Sequence, residues 1–206
     1  MSVIWISGWG VAPEGLRAAA TKALPNAEHV FRPPAPEALS DLGDCKLLVG
    51  WSLGAWHILD TAAHGMRFDG RVLLLAPFTA FCSEHGLGGR CSLTQVRWLR
   101  RWLQRDPAAA LKDFYERAGL DGDMPYAAED LLEGLDRLAD DASPALRAFG
   151  LAGLPSTWSA VVGDRDPVLD AARICEAIRG CKAVPGARHR FEDLVGPGLK
   201  EARYEV

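Results

Sequence analysis

Gly50-Trp51-Ser52-Leu53-Gly54 is the stretch that decides how this chain folds. The residues before it, Cys45-Lys46-Leu47-Leu48-Val49, make a short apolar run of the kind that forms a buried strand. Those after it, Ala55-Trp56-His57-Ile58-Leu59-Asp60, open a helix. A serine at a strand-to-helix junction, with glycines two residues to either side, is lifted clear of the sheet by a turn too tight for side chains at the glycine positions. The backbone N–H of the next residue, Leu53, then points to where negative charge develops on a carbonyl oxygen under attack.

Working outward, apolar strand-like runs near residues 3–7, 28–31, 45–50, 71–76, 157–162 and 182–185 alternate with helical patterns. Helical spacing covers Glu14–Leu24, Leu53–His64 and Asp170–Ile178, with a last short helix over Phe191–Ala202. This alternation implies an α/β protein with a mainly parallel sheet flanked by helices, and with the serine turn it reads as the α/β-hydrolase fold. Pro33-Pro34-Ala35-Pro36 is a rigid turn that no helix crosses. From Cys82 to Gly150 the alternation stops, and only helical patterns remain: Leu93–Gln104, Pro107–Ala118, Ala127–Leu138 and Pro144–Phe149. We expect residues 1–81 and 151–206 to form the hydrolase core and 82–150 a helical lid insertion, a helical subdomain without a substrate role being the plainer alternative.

The chain has 206 residues, enough for one domain with a substantial core. A net charge of −4 gives no reason to expect nucleic acid as a partner. Apolar runs such as Val72-Leu73-Leu74-Leu75-Ala76 are far too short to span a bilayer, so no membrane partner is expected. Met1-Ser2-Val3-Ile4-Trp5-Ile6 lacks the basic segment and cleavage site of a signal peptide. Five scattered cysteines suit a reducing cytoplasm better than a disulfide framework. No Cys-x-x-Cys or His-Glu-x-x-His occurs, so neither a metal nor a cofactor is expected.

A serine hydroxyl needs a base, and the base an acid to orient it, in the chain order Ser, Asp/Glu, His. His29 precedes Ser52, His57 and His64 share its helix, and His85 comes before any plausible acid. His189 follows the last expected strand, in Pro185-Gly186-Ala187-Arg188-His189-Arg190, and is the candidate base. The acid belongs after the strand Trp158–Val162, where Gly163-Asp164-Arg165-Asp166-Pro167 offers Asp166, with Asp164 as the alternative. Asp166 also suits an N-cap ahead of Pro167, a role compatible with orienting His189. Ser7-Gly8-Trp9-Gly10, after the first strand, lets backbone approach a substrate closely, so the Trp9 N–H joins that of Leu53 as a candidate oxyanion donor.

Ser7-Gly8-Trp9-Gly10 and Val49-Gly50-Trp51-Ser52-Leu53-Gly54, continued through Gly163-Asp164-Arg165-Asp166 and Gly186-Ala187-Arg188-His189, resemble the pimeloyl-acyl-carrier-protein methyl ester esterases of biotin synthesis. The resemblance covers the core well and the helical block loosely. It implies hydrolysis of the methyl ester of a pimeloyl group on acyl carrier protein, with arginines of the lid docking the acidic carrier. The chain departs from the family in carrying Ser7 where a histidine is usual, in lacking an N-terminal hairpin and in its short length. Read independently, residues 90–117 hold seven basic side chains against three acidic ones in a chain that is acidic overall. Arg97, Arg101 and Arg105 recur every four residues and so share one helix face, suited to an acidic partner or a phosphopantetheine phosphate, and equally to plain solvation. Beside them, Trp98, Leu99, Trp102 and Leu103 are expected to pack in part and to line a pocket in part. The expectation is a monomeric, cytoplasmic serine carboxyl-ester hydrolase. A loosely specific small-acyl carboxylesterase or thioesterase is one alternative, and a non-catalytic carrier-protein binder with a hydrolase fold is another.

Overall fold

The computed structural model describes residues 1–121, 126–140 and 143–204. Among them, strands β1 (Ser2–Ile6), β2 (Glu28–Arg32), β3 (Leu47–Trp51), β4 (Arg71–Leu75), β5 (Trp158–Gly163) and β6 (Cys181–Val184) form one sheet. Their order is β2-β1-β3-β4-β5-β6, and every pair is parallel. Each expected strand is present within two residues of its expected bounds. β3 is buried along its whole length, as a central strand covered on both faces must be.

Helices α1 (Arg17–Ala23), α2 (Leu53–Ala63), α3 (Leu93–Leu103), α4 (Pro107–Ala118), α5 (Ala128–Ala139), α6 (Pro144–Ala152), α7 (Ala171–Ala177) and α8 (Phe191–Glu201) complete the described elements. The stretch expected as one helix over Glu14–Leu24 is instead a short 3₁₀ turn, Pro13–Leu16, running into α1. Its Pro13 at the start suits the tighter entry. Local chemistry sets several other boundaries. Ser92 and Gln95 form a reciprocal capping box at α3. Asp106, Ser143 and Asp170 cap α4, α6 and α7, and Gly119 ends α4 in the left-handed conformation.

The helices α3 to α6 lie between β4 and β5 in sequence, in the block expected over 82–150, of which 122–125 and 141–142 lie outside the described residues. α3 packs on α4 and α5, whereas α6 packs on α2 and α7.

The register places the functional loops side by side. Ile6 pairs with Gly50, so the turn after β1 emerges next to the turn after β3. The order β2-β1-β3 reverses direction at this point, the position where open parallel sheets form a ligand crevice. Gly163 pairs with Val184, so the loop carrying Asp166 emerges beside the one carrying His189.

Gly50 and Gly54 permit the approach of α2 to the sheet. A Cβ on Gly50 would fall 2.6 Å from Ile58 Cδ1 and 2.7 Å from the Gly54 oxygen. One on Gly54 would fall 2.5 Å from the Ile6 oxygen. Gly50→Ala is therefore expected to destabilise the protein by roughly 2–3 kcal/mol, read as a lowered urea midpoint at unchanged slope.

Candidate active site

Ser52 ends β3 and begins α2 with φ 54° and ψ −116°, a backbone conformation that side chains adopt only when the surroundings enforce it. Its amide donates to the Leu75 oxygen at 2.9 Å and its carbonyl accepts from Trp56 N at 3.0 Å, which hold it from both sides. Serine at a helix start normally turns its hydroxyl onto the helix's own amides. Here it makes no such cap. The hydroxyl faces His189 instead, with Oγ 3.0 Å from Nε2.

His189 Nδ1 lies 2.6 Å from Asp166 Oδ2. With the carboxylate accepting, Nδ1–H donates to Asp166, which leaves the Nε2 lone pair to accept the Ser52 proton. The other Asp166 oxygen, Oδ1, accepts from the Val168 and Leu169 amides, both at 2.9 Å. Asp166 is fully buried and His189 is 2% exposed, so these bonds compensate a carboxylate shut away from water. Of the two candidate acids, Asp166 is the one beside His189. Asp164 accepts from the Gly186 amide at 2.7 Å and shapes the turn that carries His189. Gly163 is needed where these loops cross, since a Cβ there would fall 2.3 Å from the Ala187 oxygen.

Trp9 and Leu53 occupy adjacent turns, and among the described residues neither backbone N–H has a hydrogen-bond partner. Leu53 is the first residue of α2, where helix geometry leaves the amide free and the positive end of the dipole favours a developing anion. The Trp9 indole is engaged elsewhere, its Nε1 donating to the Leu131 oxygen on α5 at 2.9 Å. Gly134, one turn along α5, lets that helix meet the indole, because a Cβ there would fall 2.3 Å from Trp9 Cδ1.

Two contributors escape a sequence reading. The Trp51 indole Nε1 donates to the backbone oxygen of His189 at 2.9 Å and ties the histidine loop to the end of β3. No spacing rule signals that bond, which spans 138 residues. His57, one turn beyond Leu53, is 4% exposed, and burial pushes its imidazole down to about 4 even though its ring bonds the Pro34 backbone. His29 is structural: it accepts from Trp5 Nε1 at 2.9 Å and donates to the Leu24 oxygen at 3.0 Å.

A groove of about 370 Å³ adjoins Trp9 and Leu53, walled by Pro33–Glu37 on one side and α5 on the other. Ser52 itself does not line it and is 8% exposed. On the opposite side of α5, a narrow slot of about 70 Å³ runs from Trp98 and Leu99 past Phe114 to Phe81 and Val168. Arg101 and Arg105 flank Trp98 and Trp102 around a surface groove, while Arg97 stands exposed one turn earlier on α3. Among the described residues none of these three arginines forms an ion pair, whereas Arg100 binds Asp136 at 2.6 Å. Leu103, by contrast, is core. Among the described residues no three His, Cys, Asp or Glu side chains converge to hold a metal ion, and no helix is long and apolar enough to cross a membrane.

An open parallel sheet with a serine, an aspartate and a histidine in that chain order along its carboxyl edge is the plan of a broad class of proteins. Residues 8–194 match the model of the alpha/beta hydrolase family, and the chain belongs to that family. The structure is similar to an esterase from Exiguobacterium antarcticum, with a TM-score of 0.72 and 15% identity over 92% of this chain and 85% of that one. It is also similar to a hydrolase from Pseudomonas aeruginosa PA01, with a TM-score of 0.69 and 16% identity over 99% and 90%. A third similarity is to BioG from Haemophilus influenzae, with a TM-score of 0.50 and 13% identity over 95% and 90%. At these identities the likeness is one of fold. No curated protein matches the chain.

Two outcomes are expected. Trp51→Phe leaves the His189 carbonyl buried without its donor and costs about 1–3 kcal/mol in chemical denaturation. His57 is neutral in the folded state down to about pH 4, whereas the unfolded chain takes up a proton near 6.5. Between those values the unfolded state binds more protons, so the contribution of neutral His57 is intact above about 6.5 and is lost as pH falls to 4, by about 3 kcal/mol. His57→Gln should flatten that part of the stability–pH curve, measured by denaturant melts from pH 8 to pH 4.

Proposed function

We propose that the protein is a serine carboxyl-ester hydrolase in which Ser52, His189 and Asp166 act as the catalytic triad. The observation that carries this reading is the continuous chain Ser52 Oγ–His189 Nε2 at 3.0 Å and His189 Nδ1–Asp166 Oδ2 at 2.6 Å. Ser52 attacks the ester carbonyl while His189 Nε2 takes its proton, and Asp166 stabilises the imidazolium that forms. The Trp9 and Leu53 amides receive the oxyanion. His189 returns the proton to the leaving alkoxide, and a water activated by the same imidazole releases the acid.

The specific substrate in this reading is the methyl ester of a pimeloyl group on acyl carrier protein, with methanol as the leaving group. Its supports are the Ser7–Gly10 and Val49–Gly54 resemblance and Arg97, Arg101 and Arg105 on an exposed helix face, without an ion pair among the described residues, which suit an acidic carrier. Helices α3 to α5 act as the lid, the expected insertion running from 82 to 150. The reading places the enzyme in the cytoplasm, as a monomer without cofactor.

The test compares pimeloyl-carrier-protein methyl ester with a short p-nitrophenyl ester. Ser52→Ala should lower kcat by about 10⁴-fold or more on whichever ester is turned over, and Asp166→Asn by about 10⁴-fold. Preference for the carrier-bound ester in kcat/KM supports the specific substrate, and turnover of the small ester alone leaves a general esterase. Absence of serine-dependent turnover of both would sink the hydrolase reading. Charge reversal at Arg97, Arg101 and Arg105 should weaken kcat/KM for the carrier-bound ester about tenfold, and the loss should shrink at high salt.

A further inference from the structure

The groove beside Trp9 and Leu53 carries a charge pattern that the proposed reaction does not use. Its depth is uncharged: Trp9, Leu53 and Leu131 line it, and His57 at its wall is held neutral at physiological pH by burial. Its mouth is acidic. Glu37, on the Pro33–Glu37 wall, and Asp130 and Glu133, on α5, face a single guanidinium, Arg137, which lies 3.8 Å from Glu133. Three carboxylates against one arginine leave the lining with a net charge of −2.

The surface groove on α3 has the opposite sign, lined by Arg101 and Arg105 with no acid, while the slot across α5 holds only the paired Asp113 and Arg117. The slot across α5 opens toward Trp98, beside Arg101 and Arg105, and its inner end reaches Phe114 and Val168. Phe114 meets the Trp9 ring edge-on with centroids 4.7 Å apart, so this aromatic pair separates the slot from the acidic-mouthed groove. The Val168 amide binds Asp166, which ties the slot's inner end to the loop that orients His189.

Resting on the hydrolase reading above, we infer that the groove beside the oxyanion turn is the subsite for an uncharged limb of the ester, and that its acidic mouth excludes a carboxylate there. An ester carrying one anionic end binds in a single orientation, with the anion toward the α3 arginines and the neutral limb in the groove. The volume of about 370 Å³ is far more than a methyl group fills, so the subsite accepts neutral limbs of several carbons. The same field repels a free carboxylate, which favours departure of an acid product from this side.

Two isomeric monoanionic esters test this. Monobutyl succinate carries its carboxylate on the acyl limb, and the butanoyl ester of γ-hydroxybutyrate carries it on the alcohol limb. One limb of any ester must enter the groove, so the isomer that places its carboxylate there is handicapped. The wild-type protein should prefer one isomer about tenfold in kcat/KM, which is what two net exposed charges supply at low salt, and the preference should shrink toward one at 1 M salt. The combined variant Glu37→Gln, Asp130→Asn and Glu133→Gln should erase or invert the ratio. Equal rates for the two isomers in the wild type, or a ratio untouched by the combined variant, would overturn the assignment. Calorimetric binding of the same isomers to the Ser52→Ala protein reads the groove without turnover, so loss of hydrolysis and loss of charge discrimination remain separate results. A Kd ratio that follows the same pattern upholds the subsite, and equal Kd values reject it.

Discussion

The backbone of Ser52 is the constraint on which the carboxyl edge of the sheet depends. At φ 54° it is neither strand nor helix, and it persists because Gly50 and Gly54 let α2 close onto β1 and β3. Two consequences follow from the one conformation. The hydroxyl is turned away from the helix it would ordinarily cap and toward His189 Nε2. The first amide of α2, Leu53, has no hydrogen-bond partner among the described residues. A conventional N-cap at this position would have stabilised the helix by about 1 kcal/mol and used the hydroxyl.

The remaining members are held by bonds that reach across strand ends. Asp166 is supported on three sides, by two amides and an imidazole, which is what allows a carboxylate to be buried at all. The histidine loop is fastened twice: Trp51 donates to the His189 carbonyl, and Asp164 accepts from Gly186. Both fastenings start from residues next to the functional ones. The two stretches Trp51–Ser52 and Asp164–Asp166 therefore each supply one side chain that bonds the His189 ring and one that braces the His189 loop.

The helical block grips the turn after β1. The Trp9 indole binds the Leu131 carbonyl, Tyr115 donates to the Gly10 carbonyl, and Tyr126 donates to the Val11 carbonyl at 3.1 Å. Gly134 lies inside α5, where glycine is unfavourable by about 1 kcal/mol relative to alanine, and the Trp9 ring beneath it supplies the reason. Any movement of α5 is thereby coupled to the turn that bears the Trp9 amide. α6 packs on α2 and α7 and thus belongs with the helices flanking the sheet.

Local chemistry is what a sequence writes most legibly. Six apolar runs at strand length and a serine between two glycines each depend on neighbours a few residues away, and each lies in the structure where the sequence puts it. Chain order narrowed the base to His189 and the acid to two aspartates, because a parallel sheet presents its loops on one edge in a predictable succession. Tertiary structure alone shows which of Asp164 and Asp166 bonds the His189 ring, since two residues on one loop differ only in which way their carboxylates face. It alone set the bond from Trp51 to His189, the burial that keeps His57 neutral and the separation of an acidic-mouthed groove from the arginine-lined groove on α3. Those properties arise from contacts between segments dozens of residues apart, and a linear chain carries no local signal of which distant groups folding will bring within hydrogen-bonding reach.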